Sequence, residues 1–120
     1  MNNRAIFLLL IVFHQQNALQ IAGDLNDYSK YITGLRVLPV YGGSSIDSQI
    51  RALKQGVHII VATPGRLLDL MERKTVSLTT IQNVVMDEAD EMLNMGFTDS
   101  INAILADVPQ ERNTLLFSMQ

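Results

Sequence analysis

Short apolar runs alternate with stretches of helical periodicity along most of this chain, and this alternation restricts the fold more than any other feature. Each run has the length of a buried strand, and the stretches between runs repeat apolar residues at helical spacing. Strands that alternate with helices favour a parallel sheet. We therefore predict an α/β fold, a parallel β-sheet with helices on both faces. The predicted strands are 5–13, 35–41, 57–62, 84–86 and 114–117, and the predicted helices are 15–31, 45–55, 64–73, 88–95 and 98–106.

Length, charge and composition limit the function further. The 120 residues suit one domain, and the net charge of −3 gives no overall basic field for nucleic acid. Any such contact would be local, through Arg66, Arg73, Lys74 or backbone N–H groups. The chain has no cysteine, which excludes disulfides and thiolate metal sites. His14 and His58 are isolated in the sequence, so we predict no metal site there and a structural role for His58.

The amino-terminal residues superficially resemble a signal peptide. One positive charge at Arg4 precedes an apolar stretch at 5–13. No convincing small-residue cleavage site follows, and the stretch is too short to cross a bilayer. A buried strand explains it more simply.

An acidic segment follows the apolar run 84–86 directly. Asp87, Glu88 and Asp90 would lie at the carboxyl end of a parallel strand, which is the ligand-binding edge of an open α/β sheet. One carboxylate there can hold Mg²⁺ on a nucleotide, and a second can orient an attacking water. The simpler interpretation is that the acids only favour the positive end of the next helix.

Two further motifs follow predicted strands. Thr63 and Pro64 suit the N-cap and the first position of a helix, with the Thr63 hydroxyl as the predicted cap. This structural reading leaves Gly65 unexplained, whereas N–H groups at a helix start and the charge of Arg66 would suit phosphate. The pair Gly42-Gly43 either makes a tight turn or lets the backbone lie against a phosphate.

Together these motifs resemble the DEAD-box ATP-dependent RNA helicases. The chain has Asp87-Glu88-Ala89-Asp90, Thr63-Pro64-Gly65-Arg66 and Val40-Tyr41-Gly42-Gly43, with further similarity at 91–97 and 115–118. Their order and spacing agree with the family from about Ala18 to Ser118. The resemblance implies a partial RecA-like domain of the P-loop NTPase type, the first of two helicase domains. It also implies a cytoplasmic, RNA-binding hydrolase that uses ATP and Mg²⁺.

The resemblance assigns a role to each matching residue. It implies that Asp87 holds Mg²⁺ through water and that Glu88 places the hydrolytic water, so both would bind the nucleotide. Asp90 would connect the site to the second domain, and Ser118 would link hydrolysis to RNA separation. The remaining matches would contact the RNA sugar-phosphate backbone: Gly42, Gly43, Thr63, Pro64, Gly65 and Arg66.

Several family elements have no counterpart in these residues. There is no Gly-x-x-x-x-Gly-Lys-Ser/Thr phosphate loop and no upstream adenine-reading glutamine motif. Residues 13–17 replace the expected Pro-Thr-Arg-Glu-Leu, and Ser118 precedes only Met119 and Gln120. We therefore expect a partial or frame-disturbed gene product.

These departures favour a fragment of an ATP-dependent RNA helicase that is inactive alone. The alternatives are a non-catalytic RNA-backbone-binding module and a non-functional truncated product. Expected partners are RNA and the missing second helicase domain, with no membrane. In the family, the strand that leads into the phosphate loop is interior. These residues do not include that strand, so we expect strand 114–117 to lack a neighbour on one side. Its unpaired edge should promote self-association, unless 5–13 or a partner fills the gap.

Overall fold

The computed structural model describes residues 5–32 and 34–117, and each predicted strand and helix is present among them. In chain order the elements are β1 (Leu8–Ile11), α1 (Gln15–Ser29), β2 (Val37–Val40), α2 (Ile46–Gln55), β3 (Ile59–Ala62), α3 (Pro64–Glu72), β4 (Asn83–Met86), α4 (Ala89–Asn94), α5 (Thr98–Ala106) and β5 (Asn113–Leu116). The observed ends differ from the predicted ends by at most three residues.

The five strands form one parallel sheet in the order β2-β3-β1-β4-β5. Strand β1 is central, with Leu9 paired to Ile60 on one side and to Val84 on the other. All three side chains are fully buried. The predicted strand 5–13 is therefore confirmed as a buried strand, and its central position means that it does not fill the gap beside β5.

Helices cover both faces of the sheet, as predicted. On one face, Ile59 and Val61 of β3 pack in a cluster with Ala18 and Ala22 of α1. The intervening residue Ile60 belongs to the larger cluster on the opposite face, which includes buried residues of α3, α4 and α5. Because successive side chains of a strand point to opposite faces, β3 is buried along its whole length.

Helix boundaries follow local chemistry in two cases and depart from it in a third. Ser45 caps α2 by accepting a hydrogen bond from the Ser48 N–H, and Gly56 ends that helix at φ 104°. Thr63 has the extended backbone of an N-cap, but its hydroxyl makes no capping bond, so that part of the prediction is wrong. Its own N–H instead continues the β2–β3 ladder by bonding the Val40 carbonyl at 2.9 Å.

Strand β5 lies at the edge of the sheet, with β4 as its neighbour among the described residues. All four of its residues are exposed. Leu115, Leu116 and Phe117 leave 55%, 64% and 53% of their surface accessible. The prediction of an edge strand beside apolar side chains is thus confirmed for the described part of the chain. No helix in that part is long and apolar enough to span a membrane.

Candidate functional site

The loops that follow the parallel strands meet at one edge of the sheet, its carboxyl edge. The strand order determines the order in which these loops lie along that edge. The glycine turn after β2 lies beside the start of α3, followed by the start of α1 and then the acidic segment after β4. The edge therefore has a half built on β2 and β3 and an acidic half built on β4. Ser118 lies outside the described residues.

The acidic segment is fixed to the central strand by backbone bonds. The Asp87 N–H donates to the Ile11 carbonyl at 3.0 Å, one residue beyond the β1–β4 pairing. Glu88 then adopts a left-handed conformation, φ 60° and ψ 35°, directly before α4. Such a conformation is uncommon for a residue with a side chain and persists where its surroundings enforce it. Here it turns the Glu88 side chain towards the start of α1.

The Glu88 carboxylate is buried, with 5% of the residue exposed, and several hydrogen-bond donors from residues 13–17 approach it. Its Oε1 accepts hydrogen bonds from the Phe13 N–H at 3.1 Å and the His14 N–H at 3.4 Å. Its Oε2 lies 2.7 Å from the His14 Nδ1. Burying a carboxylate without partners would cost free energy, and these contacts offset that cost.

The contact shifts the pKa of both side chains. The hydrogen bond to Glu88 is the main reason that the pKa of His14 is raised, with further contributions from the charges of Glu88 and Glu91. Burial alone would raise the pKa of Glu88, but hydrogen bonds from His14, Asn17 and the two backbone N–H groups outweigh burial and lower it. Both shifts favour the ion pair of imidazolium and carboxylate.

The expectation that His14 is isolated is therefore wrong. It stands 74 positions before Glu88 in the chain, and no local pattern links the two residues. They meet because β1 and β4 are neighbours in the sheet, so the loops that follow them are adjacent. His58 has the expected structural role, since its Nδ1 accepts a hydrogen bond from the Arg36 N–H at 3.1 Å.

Asp87 and Asp90 differ in their surroundings. Asp87 is half-buried, and its Oδ1 accepts a hydrogen bond from the Glu88 N–H at 2.9 Å. No partner for its second oxygen is present among residues 5–32 and 34–117, so that oxygen could accept a hydrogen bond from metal-bound water. This donor chemistry fits Mg²⁺. Asp90 is exposed in the first turn of α4.

Arg66 joins the glycine turn to the start of α3. Its Nη1 donates to the Ser44 carbonyl at 3.0 Å and to the Gln49 Oε1 at 3.1 Å, and its Nη2 donates to the Gly42 carbonyl at 3.2 Å. A guanidinium has five N–H donors, so two remain without an acceptor in the described part of the chain. Arg66 thus positions the turn and keeps donors for an external oxygen.

The glycines of this half differ in the space around them. A Cβ added to Gly42 or Gly65 would meet nothing within 4 Å, whereas one on Gly43 would lie 3.0 Å from the Gln15 side chain. Gly65 is exposed on the first turn of α3, a turn that lacks a side-chain cap. The backbone N–H groups of this first turn therefore remain open to an external acceptor.

Arg73 and Lys74 do not join this edge. Both residues follow the carboxyl end of α3, where the chain has returned to the opposite edge of the sheet, at the amino ends of the strands. Lys74 lines a hollow there together with Ile6, which precedes β1. Arg73 donates to Asp69 at 2.9 Å. Of the three cations predicted for local contacts, Arg66 alone lies beside the site.

The parallel sheet has the glycine turn, the start of α3 and the acidic segment at its carboxyl edge, which is the ligand-binding edge of an open α/β fold. The family model of the DEAD/DEAH box helicases matches residues 2–119, so the chain belongs to that family. The match extends further towards the amino terminus than the motifs alone suggested, because it includes β1.

The comparisons also give individual relatives. The chain is 46% identical over 117 residues to "ATP-dependent RNA helicase DeaD" of Buchnera aphidicola subsp. Acyrthosiphon pisum, covering 98% of this chain and 20% of that protein. It is 52% identical over 110 residues to "DEAD-box ATP-dependent RNA helicase CshA" of Bacillus anthracis, covering 92% and 21%. The chain therefore spans about a fifth of the length of these relatives.

A solved structure has the same architecture. The yeast DEAD-box splicing factor Prp28 matches with a TM-score of 0.85 and 30% identity, over 96% of this chain and 28% of that one. This match and the sheet order together confirm the predicted RecA-like fold.

Proposed function

We propose that this chain contributes the RNA-backbone surface and the acidic segment of a DEAD-box RNA helicase, and that it does not hydrolyse ATP by itself. In this proposal residues 1–120 are part of the first helicase domain, and the chain works in the cytoplasm. The observation that carries the proposal is the joint arrangement of the glycine turn and the start of α3, held together by Arg66.

The RNA surface would consist of Gly42, Gly43 and residues 63–66. The uncapped first turn of α3 supplies N–H groups, and the remaining donors of Arg66 add positive charge. Such contacts recognise phosphate and sugar, so binding would not depend on base sequence. Because the contacts are ionic in part, affinity should fall steeply with salt.

The nucleotide side of the proposal assigns Asp87 to Mg²⁺ through water, Glu88 to the hydrolytic water, and Asp90 and Ser118 to coupling. When bound with ATP, Mg²⁺ neutralises charge on the phosphate oxygens. Two observations support inactivity of the isolated chain. The sequence has no phosphate loop to seat the nucleotide, and the Glu88 carboxylate is already engaged by His14 and backbone N–H groups.

Binding to single-stranded RNA tests the proposed surface, with Gly65→Ala as the informative variant. The added methyl has open space in this chain, so it should not disturb the fold, yet it would stand where a phosphate must approach. We expect affinity to fall about tenfold, the cost of one hydrogen bond to a charged group. Fluorescence anisotropy of labelled RNA at several salt concentrations measures both the affinity and its salt dependence.

Gly23→Ala is the matched control for this experiment. Gly23 lies in α1, also with nothing within 4 Å of an added Cβ, and it is remote from the glycine turn. Both variants should be as stable as the parent or slightly more so, by up to about 1 kcal/mol. Equal RNA affinity in the two variants would reduce the start of α3 to a structural turn and contradict the proposal.

The second candidate, a purely RNA-binding module, is favoured by the engaged state of Glu88. It predicts the same RNA affinity with no contribution from Asp87. Binding of Mg²⁺ to the parent chain that is lost in Asp87→Asn, with RNA affinity unchanged, would favour the helicase fragment over the module.

A further inference from the structure

We propose that His14, Glu88 and Glu91 form a binding site for a first-row divalent cation such as Zn²⁺. One ligand atom from each of these side chains lies within 4.8 Å of the other two. This site is separate from the water-mediated Mg²⁺ contact proposed for Asp87, and it does not require a nucleotide.

The backbone sets the three side chains facing one another. Glu88 immediately precedes α4 and Glu91 lies in its first turn, and their carboxylate oxygens come within 4.8 Å of each other. His14 approaches from the start of α1. Ligand atoms about 2.1 Å from a tetrahedral ion lie roughly 3.4 Å apart, so Glu91 must move closer and the 2.7 Å pair of His14 and Glu88 must separate slightly. The half-buried Glu91 side chain can supply that movement by rotation.

Charge at the cluster favours a divalent ion over a proton. Two carboxylates face a single imidazole, and no lysine or arginine forms an ion pair with Glu88 or Glu91 in the described part of the chain. A carboxylate oxygen of Glu91 lies within 4.8 Å of the ligand atoms of His14 and Glu88. One proton shared between His14 and Glu88 leaves an excess negative charge, which a cation held by all three groups would neutralise.

The surroundings also orient the ligands. The N–H groups of Phe13 and His14 bind the Glu88 Oε1 and leave Oε2 directed at the imidazole. Hydrogen bonds of this kind fix ligand orientation in metal sites. Imidazole nitrogen combined with carboxylate oxygen suits Zn²⁺ or Co²⁺, whereas Mg²⁺ prefers oxygen ligands alone.

Occupation of this site would have a consequence for the family's chemistry. A cation on the Glu88 Oε2 would prevent that oxygen from orienting a water molecule. Metal binding here and the hydrolytic role proposed for Glu88 would therefore exclude each other.

Titration of the untagged, EDTA-stripped chain with Zn²⁺ tests the proposal. We expect one Zn²⁺ per chain by calorimetry, with affinity reduced about tenfold or more in both His14→Gln and Glu91→Gln. Glu72→Gln, an equivalent charge change on an exposed residue of α3, should bind like the parent. A large excess of Mg²⁺ should not displace Zn²⁺.

A measurement on the parent chain avoids dependence on variants that fail to fold. Paramagnetic Co²⁺ should shift or broaden the imidazole NMR signals of His14 and leave those of His58 unchanged. Absence of Zn²⁺ binding, unchanged binding in folded His14→Gln or Glu91→Gln, displacement by Mg²⁺, or an equal Co²⁺ effect on both histidines would each overturn the proposal.

Discussion

The Glu88 side chain is the point at which this chain departs most from a simple acidic motif. Glu88 has a left-handed backbone, and its carboxylate can be buried because the start of α1 supplies N–H donors and the His14 ring as partners. Glu88 and His14 each depend on the other for this hydrogen-bonded environment. Removal of the imidazole should therefore alter stability in a way that depends on pH.

His14→Gln should destabilise the metal-free chain most between pH 4.5 and 6.5. Because the pKa of His14 is raised, its contribution to the free energy of unfolding is complete below its ordinary pKa of 6.5. This contribution is lost as the pH rises through the pKa of the folded state. The lowered pKa of Glu88 means that its contribution is complete above 4.5 and is lost as pH falls through its folded-state value.

Thermal melting in EDTA checks this expectation. The difference in Tm between the parent and His14→Gln should be larger inside that window than at about pH 9, where His14 is neutral. Glu88 and Glu91 are the acidic groups that act on His14. A difference that does not change with pH would mean that the 2.7 Å contact is not an ion pair.

At the scale of elements, the short helix α4 depends on packing more than on its own propensity. It has six residues, fewer than an isolated helix needs for stability in water. Met92 is its fully buried residue and belongs to the main core cluster, while Met95, just beyond its end, is 61% exposed. Packing of Met92 therefore stabilises α4, while the Asp87 N–H bond to Ile11 holds the acidic segment before it.

Met92→Ala should lower the free energy of unfolding by about 2–5 kcal/mol, because it leaves a cavity in the core. Met95→Ala is the matched control and should change it by no more than about 0.5 kcal/mol. Urea unfolding followed by circular dichroism measures both. Similar values for the two variants would show that α4 is not anchored through Met92.

The elements could be predicted because apolar runs and helical spacing alternate so regularly, and because strands such as Ile59–Ala62 are apolar throughout. Strand order was not contained in those local patterns. It decides that the loop after β1 meets the loop after β4, and hence that His14 contacts Glu88. The Thr63 cap failed for a related reason, since a local sequence preference does not determine which hydrogen bond a side chain makes in the folded chain.

At the scale of the whole molecule, the exposed edge of β5 is the main liability. Leu115 and Leu116 leave more than half of their surface accessible, and Leu116 borders an apolar hollow with Leu93 and Leu105. An unpaired apolar edge invites pairing with another chain. We therefore expect self-association that increases with protein concentration, and melting below about 65 °C.

Leu115→Lys should reduce this self-association, because a charge on an edge strand opposes pairing. Leu19→Lys, on the partly exposed surface of α1, is the control and should leave it unchanged. Light scattering over a range of concentrations measures the mass of each variant. A parent chain that stays monomeric at all concentrations would contradict the role assigned to β5.

In the function that we propose, this chain carries RNA-backbone contacts of a DEAD-box helicase and does not hydrolyse ATP. Phosphate release, measured on the purified chain with ATP and Mg²⁺ in the presence and absence of single-stranded RNA, tests it most directly. We expect no RNA-stimulated release, because no phosphate loop seats the nucleotide and Glu88 is held by His14. RNA-dependent turnover that disappears in Glu88→Gln would contradict the claim and show that the hydrolytic site is complete.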